Sequence, residues 1–256
     1  MKADDGEKVQ RNSPSESQSS SATPWEFEDL YPQRRGSPKK INWWRAMWGL
    51  EGREEIEKMK CERHAYWAMR NHPLVKVLIG ALNSAGCEFD MSRHISCETC
   101  DNKIAGGFDP EFNQVVICQN VARRRKTVQG TLIHELIHMF DYCVNDLDFK
   151  NIRHLACTEI RAANLAHCSI MSAWVSGTAK PWHFKGKHAD CVKQKALTSV
   201  MSVKKISKEE AMKVIDEVFP QCYADLEPIG RQCRRNSVEP FLVWEEAPMY
   251  GYDYHL

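Results

Sequence analysis

Two histidines and a glutamate lie close together in His134-Glu135-Leu136-Ile137-His138. In a helix, positions i and i+4 share one face about a turn apart, so His134 and His138 can present both imidazoles to one metal ion. Glu135 follows the first of them, angled so that its carboxylate can take a proton from a water that the metal polarises. The spacing is that of a zinc peptidase helix, although three fixed residues alone are only moderately specific. The neighbours strengthen it: Thr131, Leu132, Ile133, Leu136 and Ile137 are small or apolar, as suits the floor of a cleft. The alternative is a helical core without metal. It would require each of three buried polar groups to find its own partner, which is costly.

A catalytic zinc commonly has three protein ligands and one open position. Glu159 is the expected third. It opens Glu159-Ile160-Arg161-Ala162-Ala163-Asn164-Leu165-Ala166, a small-residue helix that can pack closely on the first. Two helices with a distal glutamate are similar to the arrangement in gluzincin proteases. Asp141 competes for the place, two turns after His134 on roughly the same face, but suits better a hydrogen bond from a ligand histidine. His154 and His167 are more distant options. The expected centre is thus one Zn2+ on His134, His138 and Glu159, with Glu135 as catalytic base.

These groups need a scaffold. Helices are expected over residues 54–70 and 74–84, on either side of Pro73. Two short strands around a turn follow, within 104–110 and 114–118. The pattern then turns helical over 123–143, 155–172 and 207–218, the last opened by a Ser207/Glu210 capping box and ended at Pro220. The hairpin between Ile104 and Cys118 has two readings. It is either an edge strand that pairs with an extended substrate backbone, with Ala105-Gly106-Gly107 allowing close approach, or an ordinary surface hairpin. The domain then spans 54–234, α+β and zincin-like, with an active-site helix, a small edge sheet and a helical C-terminal part. Residues 1–40, rich in Ser, Pro and charge, read as disordered. The 41–53 linker carries an aromatic island from Ile41 to Trp48, and 235–256 forms a tail without clear periodicity.

Composition excludes more than it asserts. The chain has 256 residues, is 27% charged and carries a net charge of +1, as an ordinary globular protein does. No nucleic-acid or membrane-surface partner follows from that balance, and the basic runs Arg123-Arg124-Arg125-Lys126 and Arg231 to Arg235 read as solvated faces. The apolar stretch from Leu74 to Leu82 is broken by Lys76 and far shorter than the ~20 residues a bilayer requires, so any membrane association is expected to be peripheral. Met1 to Gly6 is acidic and no apolar core follows, so neither a secretory leader nor an Arg-rich transit peptide is expected. The eleven cysteines allow two readings: buried thiols in a reducing compartment, or a disulfide framework in an oxidising one. Cys97-Glu98-Thr99-Cys100 is the only C-x-x-C, so a four-cysteine zinc site is not expected.

Several segments together resemble the mitochondrial inner membrane metalloprotease family that matures a membrane-embedded ATP synthase subunit and helps assemble the proton channel. They are Ile95-Ser96-Cys97-Glu98-Thr99-Cys100, Ala105-Gly106-Gly107-Phe108-Asp109-Pro110, Leu132 to His138, Ala156-Cys157-Thr158-Glu159-Ile160-Arg161-Ala162 and Cys191-Val192-Lys193, spread from about Cys61 to Arg231. The resemblance implies a protein of the intermembrane space held at the inner membrane surface, with His134 and His138 as ligands and Glu135 as catalytic residue. It also implies disulfides among the ten cysteines from Cys61 to Cys222, leaving Cys233 as the odd one. Two functions follow as expectations: a zinc endopeptidase that removes the N-terminal segment of a hydrophobic ATP synthase subunit precursor, or an assembly chaperone in which zinc is only structural. A purely structural site has no need of Glu135.

Overall fold

The computed structural model of the 256-residue chain describes residues 52–101, 104–168, 184–233, 237–252 and 254. The expected tail over 1–40 and the aromatic island lie outside them. Helices α1 (Arg53–Asn71) and α2 (Pro73–Ser84) form where expected. Pro73 opens α2, at the position where its missing N–H costs no bond and its fixed φ suits the helix. α2 is buried along most of its length, and its single charge escapes sideways. Lys76 lays its Nζ over the rings of Trp244 (4.9 Å) and Tyr254 (5.5 Å).

A short helix α3 (Met91–His94), capped by the Asp90 side chain on Ser92 N–H, leads into β1 (Ile95–Glu98). Strands β2 (Gly106–Asp109) and β3 (Gln114–Cys118) are the expected hairpin. β1 was not expected; four residues, three of them buried, are too few to reveal an alternation. The sheet order is β1-β3-β2, with β1 parallel and β2 antiparallel to β3, so β2 lies at an edge.

Helix α4 (Arg125–Val144) carries the His-Glu stretch, and α5 (Ile152–Ala162), capped by Asn151, carries Glu159. The helix expected over 155–172 leaves α geometry early, widening to a π turn at Ala163–His167; residues 169–172 lie outside the described set. The wider turn aims Asn164 inward, where its Nδ2 donates to Tyr223 O (2.9 Å) and its Oδ1 accepts from Gln232 Nε2 (2.7 Å). Helix α6 (Phe184–Val203) was not expected. Helix α7 (Lys208–Ala224) starts as predicted, with Ser207 Oγ accepting from Glu210 N–H at 3.1 Å, but runs through Pro220. Its last turn is anchored from outside, by the Cys157–Cys222 bridge and the bond to Tyr223 O, which offsets the backbone bond that proline removes. After Arg235, α8 (Glu239–Glu246) and a 3₁₀ turn (Ala247–Tyr250) bury Val243 and Ala247 in the core that also holds α2, and Tyr254 Oη donates to Met69 O.

Two cores result. One gathers α1, α2, the sheet, α4 and α8, and the other α5, α6 and α7. Five disulfides stitch them: Cys61–Cys97, Cys87–Cys143, Cys100–Cys118, Cys157–Cys222 and Cys168–Cys191. Cys233 is the free, buried thiol, as expected, and burial pushes its pKa up to about 12. Among the described residues no helix is long and apolar enough to cross a membrane.

Candidate active site

The site forms where α4 of the first core meets α5 of the second. His134 and His138, one turn apart on α4, bring their Nε2 atoms to 3.1 Å with the rings edge to face. Glu159 reaches across from α5, Oε2 at 3.4 Å from His134 Nε2 and Oε1 at 3.6 Å from His138 Nε2. Donors held 2.0–2.1 Å from a tetrahedral ion lie about 3.3 Å apart, so these three groups have the spacing a zinc ion asks for. Donor atoms of His134, Glu135 and His138 also lie within 4.8 Å of one another.

Asp141 does not join the cluster. It stands one layer behind, beneath Thr158, whose hydroxyl donates to Asp141 Oδ2 at 2.6 Å and lies 2.8 Å from His138 Nδ1. The ionised carboxylate only accepts, so it takes the single hydroxyl proton of Thr158. The threonine oxygen must then accept from His138 Nδ1–H, which leaves the Nε2 lone pair facing His134 and Glu159. Arg161 fixes the other end, donating Nε to both Asp141 oxygens (3.0 and 3.1 Å) and Nη2 to Glu227 O (2.7 Å), and it also pairs with Asp225. His154 is elsewhere, its Nδ1 accepting from Asp148 N–H, and the His167 side chain lies outside the described set.

Above the histidines runs a cleft of about 560 Å³. One wall is β2. Cys118 N–H bonds to Ala105 O, so alternate residues 105, 107 and 109 face β3, and the backbone groups of Gly106 and Phe108 project away from it. Phe108 N–H donates to Glu135. Gly106 sits so close to α4 that a Cβ there would lie 2.4 Å from Thr131 Cγ2 and 2.6 Å from Val116 O. Phe149, Leu155 and Val203 make the opposite side largely apolar, and Lys195 and Ser199 of α6 complete it.

Residues 59–230 match the peptidase M76 family. The chain belongs to that family. It is 38% identical over 229 residues to the protein named mitochondrial inner membrane protease ATP23 homolog in Danio rerio, covering 87% of this chain and 86% of the relative. The Homo sapiens protein of the same name is 42% identical over 176 residues, covering 67% and 70%. The Saccharomyces cerevisiae protein named mitochondrial inner membrane protease ATP23 is 35% identical over 179 residues, covering 67% and 78%. No solved structure matches.

In this M76 peptidase, burial and charge separate the titrating groups. Burial opposes charge on His134, but the Glu135 and Glu159 carboxylates outweigh it and raise its pKa to about 9. Burial keeps His138 neutral, pushing it down to about 4 against the pull of Glu159. The Glu135 carboxyl is 6% exposed, and burial raises it to about 7 although His134 draws it down. Burial raises Asp141 to about 6 despite Arg161 and Thr158, so it remains ionised at neutral pH. Burial also acts on Glu159, but His138, His134 and Ser199 hold it below the usual carboxylate range. The sequence reading placed Asp141 against a histidine directly. Thr158, adjacent to Glu159, was the missed intermediary, and only its position beside a ligand could have suggested it. Nothing in the mixed pattern of residues 184–203 pointed to the α6 wall.

Proposed function

We propose that the protein is a zinc-dependent endopeptidase of zincin-like fold, with His134, His138 and Glu159 holding the metal and Glu135 as catalytic base. The observation that carries this is the convergence of the three donor side chains at tetrahedral spacing beneath a cleft walled by an edge strand. Zinc there supplies Lewis-acid polarisation of water and of the scissile carbonyl. Glu135 accepts a proton from the attacking water and returns it to the leaving amine. Phe108 N–H holds the Glu135 carboxylate in aim, and the remaining outward backbone groups of β2, at Gly106 and Phe108 O, pair with an extended substrate. A purely structural zinc would need a closed ligand set, and the solvent-open cleft with Glu135 at its floor argues against one.

The relatives' names and the family resemblance suggest the wider role. The substrate is the precursor of a membrane-embedded ATP synthase subunit, cut near its N-terminus at the intermembrane-space face of the inner membrane, where this protein is peripheral. The apolar lining at Phe108, Phe149 and Leu155 suits a hydrophobic precursor. A chaperone role in ATP synthase assembly accompanies cleavage and does not depend on Glu135. The test is Glu135→Gln in cells lacking the endogenous protein. Removing the base costs ~10²–10⁴-fold in rate, so the precursor stays uncut while zinc content and assembled ATP synthase are kept. Cleavage at the wild-type rate refutes the protease reading. Loss of assembly in a folded, zinc-loaded variant refutes the separate chaperone role.

A further inference from the structure

A net charge near zero hides a strong local asymmetry. Between Met59 and Arg70 on α1 the exposed residues are Met59, Lys60, Arg63, Tyr66, Trp67 and Arg70, and they fall within about 120° of one helical face at 3.6 residues per turn. Every one is cationic or a large apolar or aromatic side chain, and Met59 and Tyr66 are 63% and 52% exposed. The basic run at the start of α4 abuts this face. Arg125 stacks its guanidinium 4.4 Å from the Trp67 ring, and Arg124 and Lys126 are exposed beside it, while Arg123 is paired with Glu57. The proximity is felt electrically: burial first, then the fields of Arg125, Arg63 and Lys60, lower the pKa of His64 between them. Glu55 and Glu62, both half-buried, lie along one edge of the face and the exposed Asn71 at the other.

We infer that this face of α1, with the start of α4, seats the protein on an anionic phospholipid surface. The inference rests on the peripheral membrane location proposed above and names the surface responsible. Two features select a bilayer over other partners. Aromatic and thioether side chains stand out among cations, the composition that settles into a headgroup boundary with the charges reaching back to the phosphates. The face also adjoins the active-site helix: His134 lies about 13 Å along α4 from Arg125 at 1.5 Å per residue.

The test uses the full, zinc-loaded chain and sedimentation with vesicles of phosphatidylcholine, alone or with one third phosphatidylglycerol. Wild type binds the anionic vesicles only, and raised salt weakens that binding. Each basic residue near such a surface contributes roughly fivefold, so the combined variant Arg63→Gln/Arg70→Gln/Arg125→Gln loses about 100-fold in partitioning. Met59→Ser/Tyr66→Ser loses severalfold on the same vesicles. An equal removal of charge from the start of α7 and the loop before it, Lys205→Gln/Lys208→Gln/Lys213→Gln, leaves partitioning unchanged. Cleavage of a soluble peptide is measured in parallel and stays at the wild-type rate in all these variants. Its absence in wild type would count against the protease reading, without touching the lipid result. The inference is overturned if wild type ignores anionic vesicles, or if the two charge variants lose partitioning equally. It is also overturned if Met59→Ser/Tyr66→Ser binds like wild type, since a surface that needs charge alone is one for an acidic protein.

Discussion

Replacing Thr158 with valine tests the buried relay behind the proposed metal ligands with little change of shape. The hydroxyl makes two contacts, 2.8 Å from His138 Nδ1 and 2.6 Å to Asp141 Oδ2, and all three residues are buried. Valine is close in volume but can neither accept from the imidazole nor donate to the carboxylate. Asp141 keeps its bonds from Arg161, so the greater loss falls on His138, whose Nδ1–H is left without an acceptor. An unsatisfied buried donor costs about 1–3 kcal/mol, the expected fall in stability of the metal-free protein by urea unfolding. The fixed tautomer is lost as well, and disturbing such an outer partner of a ligand histidine weakens zinc binding by ~10–100-fold. Thr158→Ser keeps the hydroxyl and should recover most of the affinity. Competition with a chromophoric chelator measures the affinity, and ¹⁵N chemical shifts of the His138 ring report its tautomer. If Thr158→Val holds zinc as wild type does while its ring tautomer is unchanged, the relay has no part in setting the ligand.

Glu159→Ala should lose the metal outright, whereas Asp141→Ala weakens it by ~10–100-fold; the opposite order, read by metal content after dialysis, would reassign the third ligand. Gly106→Ala forces a Cβ against Thr131 Cγ2 and the Val116 carbonyl at 2.4 and 2.6 Å, so stability should fall by about 1–3 kcal/mol and peptide cleavage with it, zinc content being retained. The pH dependence of the metal-free protein follows from four buried groups, the two histidines and the carboxyls of Glu135 and Asp141. With a folded pKa of about 9 against an ordinary 6.5, His134 contributes stability that is full below 6.5 and is lost as pH rises through about 9. With a folded pKa of about 4, His138 makes the opposite contribution, a loss of stability as pH falls from 6.5 toward 4. The raised carboxyls of Glu135 and Asp141 oppose that acid loss, since their contributions fall as pH rises toward about 7 and about 6, so the expected outcome without metal is a melting temperature that falls as pH rises from neutrality through about 9. The alkaline fall should vanish with zinc bound, and an identical alkaline fall in both forms would show that His134 is not the group responsible.

The legible parts were those written in local pattern. α1, α2 and α4 follow from apolar periodicity and from Pro73, the β2–β3 hairpin from its glycines and β-branched run, and the His-Glu stretch from spacing alone. The odd cysteine followed from the extent of the family resemblance. What escaped depends on partners distant in sequence. β1 exists because β3 offers it a parallel edge and Cys61 ties it to α1. α7 passes Pro220 because α5 holds its far end. The π turn after α5 answers Asn164, whose acceptor is 59 residues away. Thr158 shows the same limit within the site: its role is defined by Asp141 and His138, both on another helix.

The covalent bridges and the polar relay divide the task of holding this site together. Cys157 precedes Thr158 and Glu159 on α5, and its bridge to Cys222 fastens that helix to α7; Cys143 fastens the end of α4 to Cys87. Disulfides act mainly by restricting the unfolded chain, so they make the two cores durable without choosing how α4 faces α5. That choice needs contacts that cross between the helices, and the described ones at the site are polar: Thr158 and Arg161 of α5 on Asp141 of α4, and Glu159 on the two histidines. Arg161 reaches on to Glu227 O and Asp225, beyond α7, so the same side chain also sets the loop that closes the second core. A buried ion pair of this kind is weak support for stability but a strong constraint on geometry, because a half-turn rotation of either helix would strand both charges. Glu159 and the histidines are therefore brought together by a network that lies outside their own cluster.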